Sequence, residues 1–288
     1  CREAKENGKD RIRVAKNETS VHIKLDSIIR DALHHRRLRL WTQKIVPVSP
    51  AAKAADRGRA HFEVLTRMTD AKGNVISPSE FIPASERLGL AYAVDLYVIE
   101  EVLEFMQRNP GLEASISMCS INLSGASVAS ERMYRAIEAL LQRTSFNLEK
   151  LCFEVTETTA ILDSDTALAF IRRIRELGCK VAIDDFGVGY SNHQSFSRIP
   201  ADCIKIDGSY TRRILEDGPL RIDAQGMINS ASVRGLEIIA EFAESEGIVR
   251  ELERLGVDYA QGYFFGKPEP MENLLEAIPN PGEIGNSS

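Results

Sequence analysis

Long apolar stretches are missing from this sequence. No run approaches the roughly 18 residues that span a bilayer, so the chain is expected to make no membrane contact of its own. Cysteine is sparse: Cys1, Cys119, Cys152, Cys179 and Cys203 are odd in number and irregularly spaced, which argues against a disulfide framework and a thiolate metal knuckle. Cys152, Cys179 and Cys203 lie inside apolar runs and read as small buried side chains of a reducing, cytoplasmic setting. Tryptophan occurs once, at Trp41, and is expected in the core. An excess of positive charge is lacking too. The net charge of −6 gives no general footprint for DNA or an anionic membrane, so an anionic ligand would need local cations. An initiator Met and a signal peptide are both absent, and the chain reads as a piece cut from a longer protein, whose parent can still be membrane-anchored.

What is present is a repeated alternation. Residues 1–16 read as the end of a charged helix, broken at Gly8, and a short strand around Ile12 and Val14. Val21, Leu25, Ile28, Ile29, Ala32 and Leu33 recur at helical spacing, so residues 19–35 are expected to form a connecting helix, with His34, His35, Arg36 and Arg37 as its solvated end. A main domain over 36–275 and a flexible tail over 276–288 complete the division. Within the domain, eight short apolar runs begin near residues 38, 61, 115, 151, 180, 203, 236 and 257. Helical periodicity fills 92–107, 127–143, 163–177, 219–234 and 245–255. Runs one and two are joined by a loop with Pro47 and Pro50 in place of a helix, which permits an antiparallel first strand. The pattern fits an α/β class, a closed (β/α)8 barrel of TIM type. An open doubly wound sheet is the alternative, but no Gly-rich phosphate loop opens its first helix.

Polar residues fall at telling places in these runs. Glu63, Asn122, Glu154, Asp184, Asp185, Lys205, Glu241 and Gln261 lie within or at the C-terminal ends of strands, and a barrel gathers those ends into one ring, the usual location of its active site. Each alone has an ordinary reading, as a rim residue, turn starter or ion pair. Together they place five carboxylates in one cleft, where each like pair about 4 Å apart costs roughly 4 kcal/mol unless cations or protons intervene. Oxygen donors with one amide select hard ions such as Mg²⁺, Mn²⁺ or Ca²⁺ over Zn²⁺. Two such ions suit phosphodiester hydrolysis. Lys205 can orient a nucleophilic water or neutralise a phosphate oxygen, and Arg67 can hold a nonbridging oxygen.

At this point the residues resemble the EAL phosphodiesterase family from about Leu38 to Pro270. The segments are Glu63-Val64-Leu65 with Arg67, GNVISPSEFIPASERLGL (73–90), INLS (121–124), FEVTET (153–158), IDDFGVGYSN (183–192), CIKID (203–207), IAEFAE (239–244) and QGYFFGKP (261–268), in the family's order. The resemblance implies a modified TIM-type (β/α)8 barrel with an antiparallel first strand, and hydrolysis of cyclic di-GMP to linear pGpG in bacterial second-messenger signalling, with two Mg²⁺ or Mn²⁺ ions and a homodimer. It implies that Glu63, Asn122, Glu154 and Asp184 hold one ion, and that Asp184, Asp185 and Glu241 serve the other. Glu241 is also cast as a general base, Lys205 as the holder of the water and Glu157 as the anchor of the loop after strand five. Gln43, Leu65, Arg67 and Gln261 would line the dinucleotide site. Val188, Phe242-Ala243 and Lys44 depart from the family pattern, which keeps open a noncatalytic cyclic di-GMP receptor as the alternative. Residues 1–18 resemble the closing helix and strand of a GGDEF domain, which implies an adjacent GGDEF domain in the parent chain.

Overall fold

The computed structural model describes residues 25–162, 164–188 and 198–277. The expected GGDEF remnant over 1–18, the start of the connector, Cys1 and positions 278–288 of the tail lie outside the described residues. Ten strands form one sheet: β1 (Leu38–Pro47), β2 (Ala60–Thr69), β3 (Val75–Ile76), β4 (Ile116–Leu123), β5 (Leu151–Thr156), β6 (Lys180–Phe186), β7 (Cys203–Ile206), β8 (Glu237–Ala240), β9 (Tyr259–Gln261) and β10 (Glu269–Pro270). The order β10-β1-β9-β8-β7-β6-β5-β4-β2-β3, with β1 also paired to β2, closes an eight-stranded barrel and leaves β3 and β10 as short flaps. β1 runs antiparallel to both β2 and β9, and the other barrel pairs are parallel. Closure rules out the open sheet.

Two-residue periodicity sorts the strand side chains. Phe62, Val64, Cys119, Ile121, Leu151, Phe153, Val155, Val181, Ile183, Ile204, Ile206, Ile238 and Ala240 belong to the large core between barrel and outer helices. Ile45, Cys152, Ala182, Cys203, Ile239 and Tyr259 form a smaller cluster of their own. Each of these six lies two residues from a polar position, respectively Gln43, Glu154, Asp184, Lys205, Glu241 and Gln261, so an apolar layer underlies a polar one.

Several expectations need correction. The connection from β1 to β2 contains a helix, Pro50–Asp56, instead of a bare loop. Ser49 caps it by accepting from Ala52 N at 3.1 Å and Pro50 occupies its first turn, so the two prolines framed a helix start. The helix expected over 127–143 is two helices, Gly125–Val128 and Glu131–Leu141, because Ser130 caps the second one afresh. The last run holds only three strand residues before the chain turns, with Phe265 N donating to Gly262 O at 3.1 Å. Leu274–Ala277 is helical and crosses the expected start of the tail at 276. Cys119 is as buried as Cys152, Cys179 and Cys203, and all four are free thiols.

The connector is helical over 25–34 and does not stand apart. Ile29 and Ala32 are buried with Phe81, Ala84, Leu90, Val94 and Tyr97 of helices Pro78–Arg87 and Ala91–Arg108 and the loop between them. His34, His35 and Arg36 are exposed, as expected of a solvated end, and the two arginines also fasten the connector: Arg36 pairs with Glu101 and stacks 5.5 Å from the Tyr97 ring, and the partly buried Arg37 pairs with Asp31. Among the described residues, no helix is long and apolar enough to cross a membrane.

Candidate active site

The polar layer converges on Lys205. Its Nζ lies 2.7 Å from Glu154 Oε2, 2.9 Å from Glu241 Oε1, and 3.3 Å from both Glu63 Oε2 and Asp184 Oδ1, with the side chain wholly buried. Four strands, β2, β5, β6 and β7, and the first residue beyond β8 thus deliver one ammonium and four carboxylates to a single point. Glu63 has further donors: Asn122 Nδ2 at 2.6 Å and Gln261 Nε2 at 2.7 Å. Gln261 also donates to Gln43 Oε1 at 3.2 Å, and Gln43 donates to Gly266 O at the same distance. Glu63, Asn122, Glu154, Asp184, Lys205, Glu241, Gln261 and Gln43 therefore form one hydrogen-bonded and ion-paired network.

Asp184 and Asp185 are neighbours in a strand, where regular geometry would send them to opposite faces. A bulge removes that conflict. Ile183 pairs with Ile204 and Phe186 with Ile206, so β6 carries one more residue than β7 between these pairs. Asp185 takes the extra place with φ 54°, a left-handed conformation that Asp tolerates better than most residues. As a result, carboxylate oxygens of Asp184, Asp185 and Glu241 lie within 4.8 Å of one another.

Burial and charge set the protonation of the cluster. Burial opposes the charge on Lys205, but Asp184, Glu154, Glu241 and Glu63 outweigh it and hold the ammonium well above the usual lysine range. Burial also opposes ionisation of Glu63, yet the Lys205 charge and the donors Gln261 and Asn122 bring its pKa below the ordinary value. Burial, with the charges of Glu63 and Asp184, drives Glu154 far upward despite Lys205. Burial, then Asp184 and Glu63, raise Glu241 to about 7 against the pull of Lys205. Asp185 is raised by burial and by Asp184. One ammonium does not neutralise this many carboxyls, so the cluster keeps protons or takes up further cations. The donor set fits hard divalent ions: it is all oxygen, Glu154 Oε1 is buried without a hydrogen-bond partner, and buried Asp184 Oδ1 has its ion pair with Lys205 but no hydrogen bond.

Beside this cluster opens a cleft of about 350 Å³ lined by Glu63, Leu65, Arg67, Asp95 and Asn122 among others. Leu65 and Arg67 therefore stand where a ligand would be lined, outside the carboxylate network. The Arg67 guanidinium lies 5.6 Å over the Trp41 ring and donates to Thr66 O at 3.0 Å. Trp41, expected in the core, is only half-buried. Antiparallel pairing sets it opposite Leu65. Glu157, also buried, accepts from Gly187 N at 2.8 Å, which ties the turn after β5 to that after β6. Val188 in the turn after β6 and Phe242 in the turn after β8 are exposed, and Lys44 points away on the outer face of β1. Residues 189–192 of the IDDFGVGYSN segment lie outside the described residues.

Against known proteins, the EAL domain model matches residues 26–268. The chain belongs to the EAL domain family. It is 34% identical over 250 residues to the cyclic di-GMP phosphodiesterase PdeF of Escherichia coli, covering 87% of this chain and 32% of that protein. It is 32% identical over 248 residues to the cyclic di-GMP phosphodiesterase PdeB of Shewanella oneidensis, covering 86% of this chain and 28% of that one. The chain thus spans about a third of the length of these curated relatives. Among solved structures, the PaMucR phosphodiesterase in complex with c-di-GMP superposes with a TM-score of 0.78 at 29% identity, covering 87% of this chain and 99% of that one. An EAL domain protein from Listeria monocytogenes gives 0.74 at 26% identity, with coverages of 88% and 96%.

Other EAL residues were not singled out from sequence. Asp95, on helix Ala91–Arg108, accepts from Ser124 N at 2.9 Å, Ser124 Oγ at 2.7 Å and Ser127 Oγ at 2.6 Å, and so fastens the turn two residues beyond Asn122. A lone carboxylate within AYAVDLYVIEEVL was the available signal. Tyr210 donates to Gly187 O at 2.9 Å, and nothing in the local sequence announces that contact.

Proposed function

We propose that this EAL domain hydrolyses cyclic di-GMP to linear pGpG in bacterial second-messenger signalling. The observation that carries the reading is the meeting of Glu63, Glu154, Asp184 and Glu241 around Lys205, with Asp185 beside them and a lined cleft next door. The named relatives and the c-di-GMP complex of a similar structure support the choice of substrate.

In this reading Glu63, Asn122, Glu154 and Asp184 hold one Mg²⁺ or Mn²⁺ ion, and Asp184, Asp185 and Glu241 hold a second. Such ions would supply charge neutralisation at the phosphodiester and acidify a bound water. The chain's own part is positional. Lys205, fixed by its carboxylates, keeps a positive charge at the point where water and phosphate meet. Glu241 serves the second ion or takes the water's proton. Water oxygen adds to phosphorus, the bond from phosphorus to the 3′ oxygen breaks, and that oxygen leaves with a proton, giving a 5′-phosphate. Arg67 and Leu65 in the cleft, with Gln261 and Gln43 linked by hydrogen bonds to Glu63 of its lining, hold the dinucleotide, and Glu157 anchors the turn after β6. The parent protein would carry an adjacent GGDEF domain, pair as a homodimer and present this domain to the cytoplasm.

The test is chromatography of cyclic di-GMP incubated with the purified chain and Mn²⁺ or Mg²⁺. Glu63→Gln should lower pGpG formation at least 100-fold, and turnover equal to the parent would remove the assignment. A second reading, a noncatalytic receptor, draws on Phe242, whose backbone sits at φ 54° directly after Glu241. Tight binding of cyclic di-GMP with no pGpG at saturating metal would favour it.

A further inference from the structure

The helical turn Gly208–Thr211, just beyond Lys205, touches both neighbouring turns that carry the triad. On one side is the turn after β6. Gly187 there has φ 103°, and a Cβ on it would stand 2.8 Å from both Met227 Sδ and Tyr210 Cε2, so the backbone lies directly against the Tyr210 ring. Both backbone groups of Gly187 are held: its N–H by Glu157 at 2.8 Å and its carbonyl by the Tyr210 hydroxyl at 2.9 Å. On the other side is the turn after β8. The Phe242 ring packs onto Gly208 so closely that any Cβ there would overlap it, and the Arg212 guanidinium covers the ring at 3.9 Å. Residues 208–212 thus form one brace between the bulge of Asp184 and Asp185 and the end of β8 at Glu241.

We infer that Tyr210 is a positioning residue for the Asp184, Asp185 and Glu241 oxygen triad, acting through its hydroxyl on Gly187 and through the brace it belongs to. The inference rests on the metal-dependent reading of the site. The bulge is an irregular piece of backbone, and Asp185 is exposed at its crest, so contacts elsewhere must hold it. Gly187 is two residues on. With its carbonyl released, Gly187 keeps its hydrogen bond to Glu157 but loses its tie to the Tyr210 hydroxyl, and Asp185 can move away from Asp184 and Glu241. Outer contacts that orient metal ligands are commonly worth 10- to 100-fold in affinity.

The experiment compares the parent chain with Tyr210→Phe, which deletes the hydroxyl and keeps the ring against Gly187. Calorimetric titration with Mn²⁺ should show roughly tenfold weaker binding in the variant. Turnover of cyclic di-GMP at limiting Mn²⁺ should fall with it, with KM for the dinucleotide unchanged and kcat restored by raising Mn²⁺, a pattern that a loss of general stability would not produce. Arg212→Ala, which uncovers Phe242 and spares Gly187, should weaken the same titration and keeps the test available if Tyr210→Phe folds poorly. Mn²⁺ affinity equal to the parent in the variants, or a raised KM with unchanged metal binding, overturns the inference. A parent chain that binds no Mn²⁺ overturns the reading of the site and this inference with it.

Discussion

Lys205 governs the electrostatics of the site because, among the described residues, it is the one cation paired with these four carboxylates, all within 3.3 Å. Removing it leaves those carboxylates buried without compensation. Lys205→Met should therefore destabilise the chain by about 3–5 kcal/mol in urea unfolding at neutral pH with a chelator present. A variant as stable as the parent would show that the cluster is neutralised by its own protons. Most of these residues were legible in the sequence, because a charged side chain inside an apolar strand needs a reason. Glu154 in LCFEVT and Lys205 in CIKID are clear cases. The contacts of Tyr210 and Asp95 were not legible, since both bond to backbone or hydroxyl groups of segments far away in sequence, and no local pattern encodes such a partner.

At the level of elements, the boundaries followed local chemistry wherever it was strong. Helix Glu246–Leu255 begins at Ser245, which accepts from Ile248 N at 3.3 Å, and ends at Gly256 with φ 89°. The bulge in β6 was less legible, because adjacent aspartates before Phe-Gly suit an ordinary turn equally well. Outer helices are tied together by surface charges, and one of these ties has a testable pH signature. Glu131, in the first turn of Glu131–Leu141, accepts from Arg135 and, at 2.6 Å, from Arg173 of helix Ser164–Glu176. Hydrogen bonds from Arg173 and Arg135 lower its pKa from 4.5 to about 2. A carboxyl depressed in the folded state adds stability above its unfolded value and loses it as pH falls through the folded one. Glu131→Gln should thus lower the melting temperature slightly at pH 7, and the gap from the parent should close between pH 4.5 and about 2. A gap constant across that range in thermal scans would count against the pair.

For the whole molecule, closure by β1 converts separate strand ends into one mouth, and the acidic mouth links metal binding to folding. A divalent ion held only by the folded barrel at 100 times its Kd adds about 2.7 kcal/mol, which for a chain of this size raises Tm by roughly 5–10 °C. Scans with Mn²⁺ and with chelator should differ by that amount, and identical curves would mean that the carboxylates bind no ion. The connector helix, packed through Ile29 and Ala32 against helices Pro78–Arg87 and Ala91–Arg108, joins the entering chain to the wall that carries Asp95. The sequence by itself determined the barrel class, the eight barrel strands and the polar residues of the mouth, because alternation of apolar and polar side chains and helix periodicity are local and repeat along the chain. Only the tertiary structure decided how Asp184 and Asp185 share one side, which carboxylates touch Lys205 and what braces the turns, because those depend on backbone irregularities and on contacts between segments that the chain brings together only when the barrel closes.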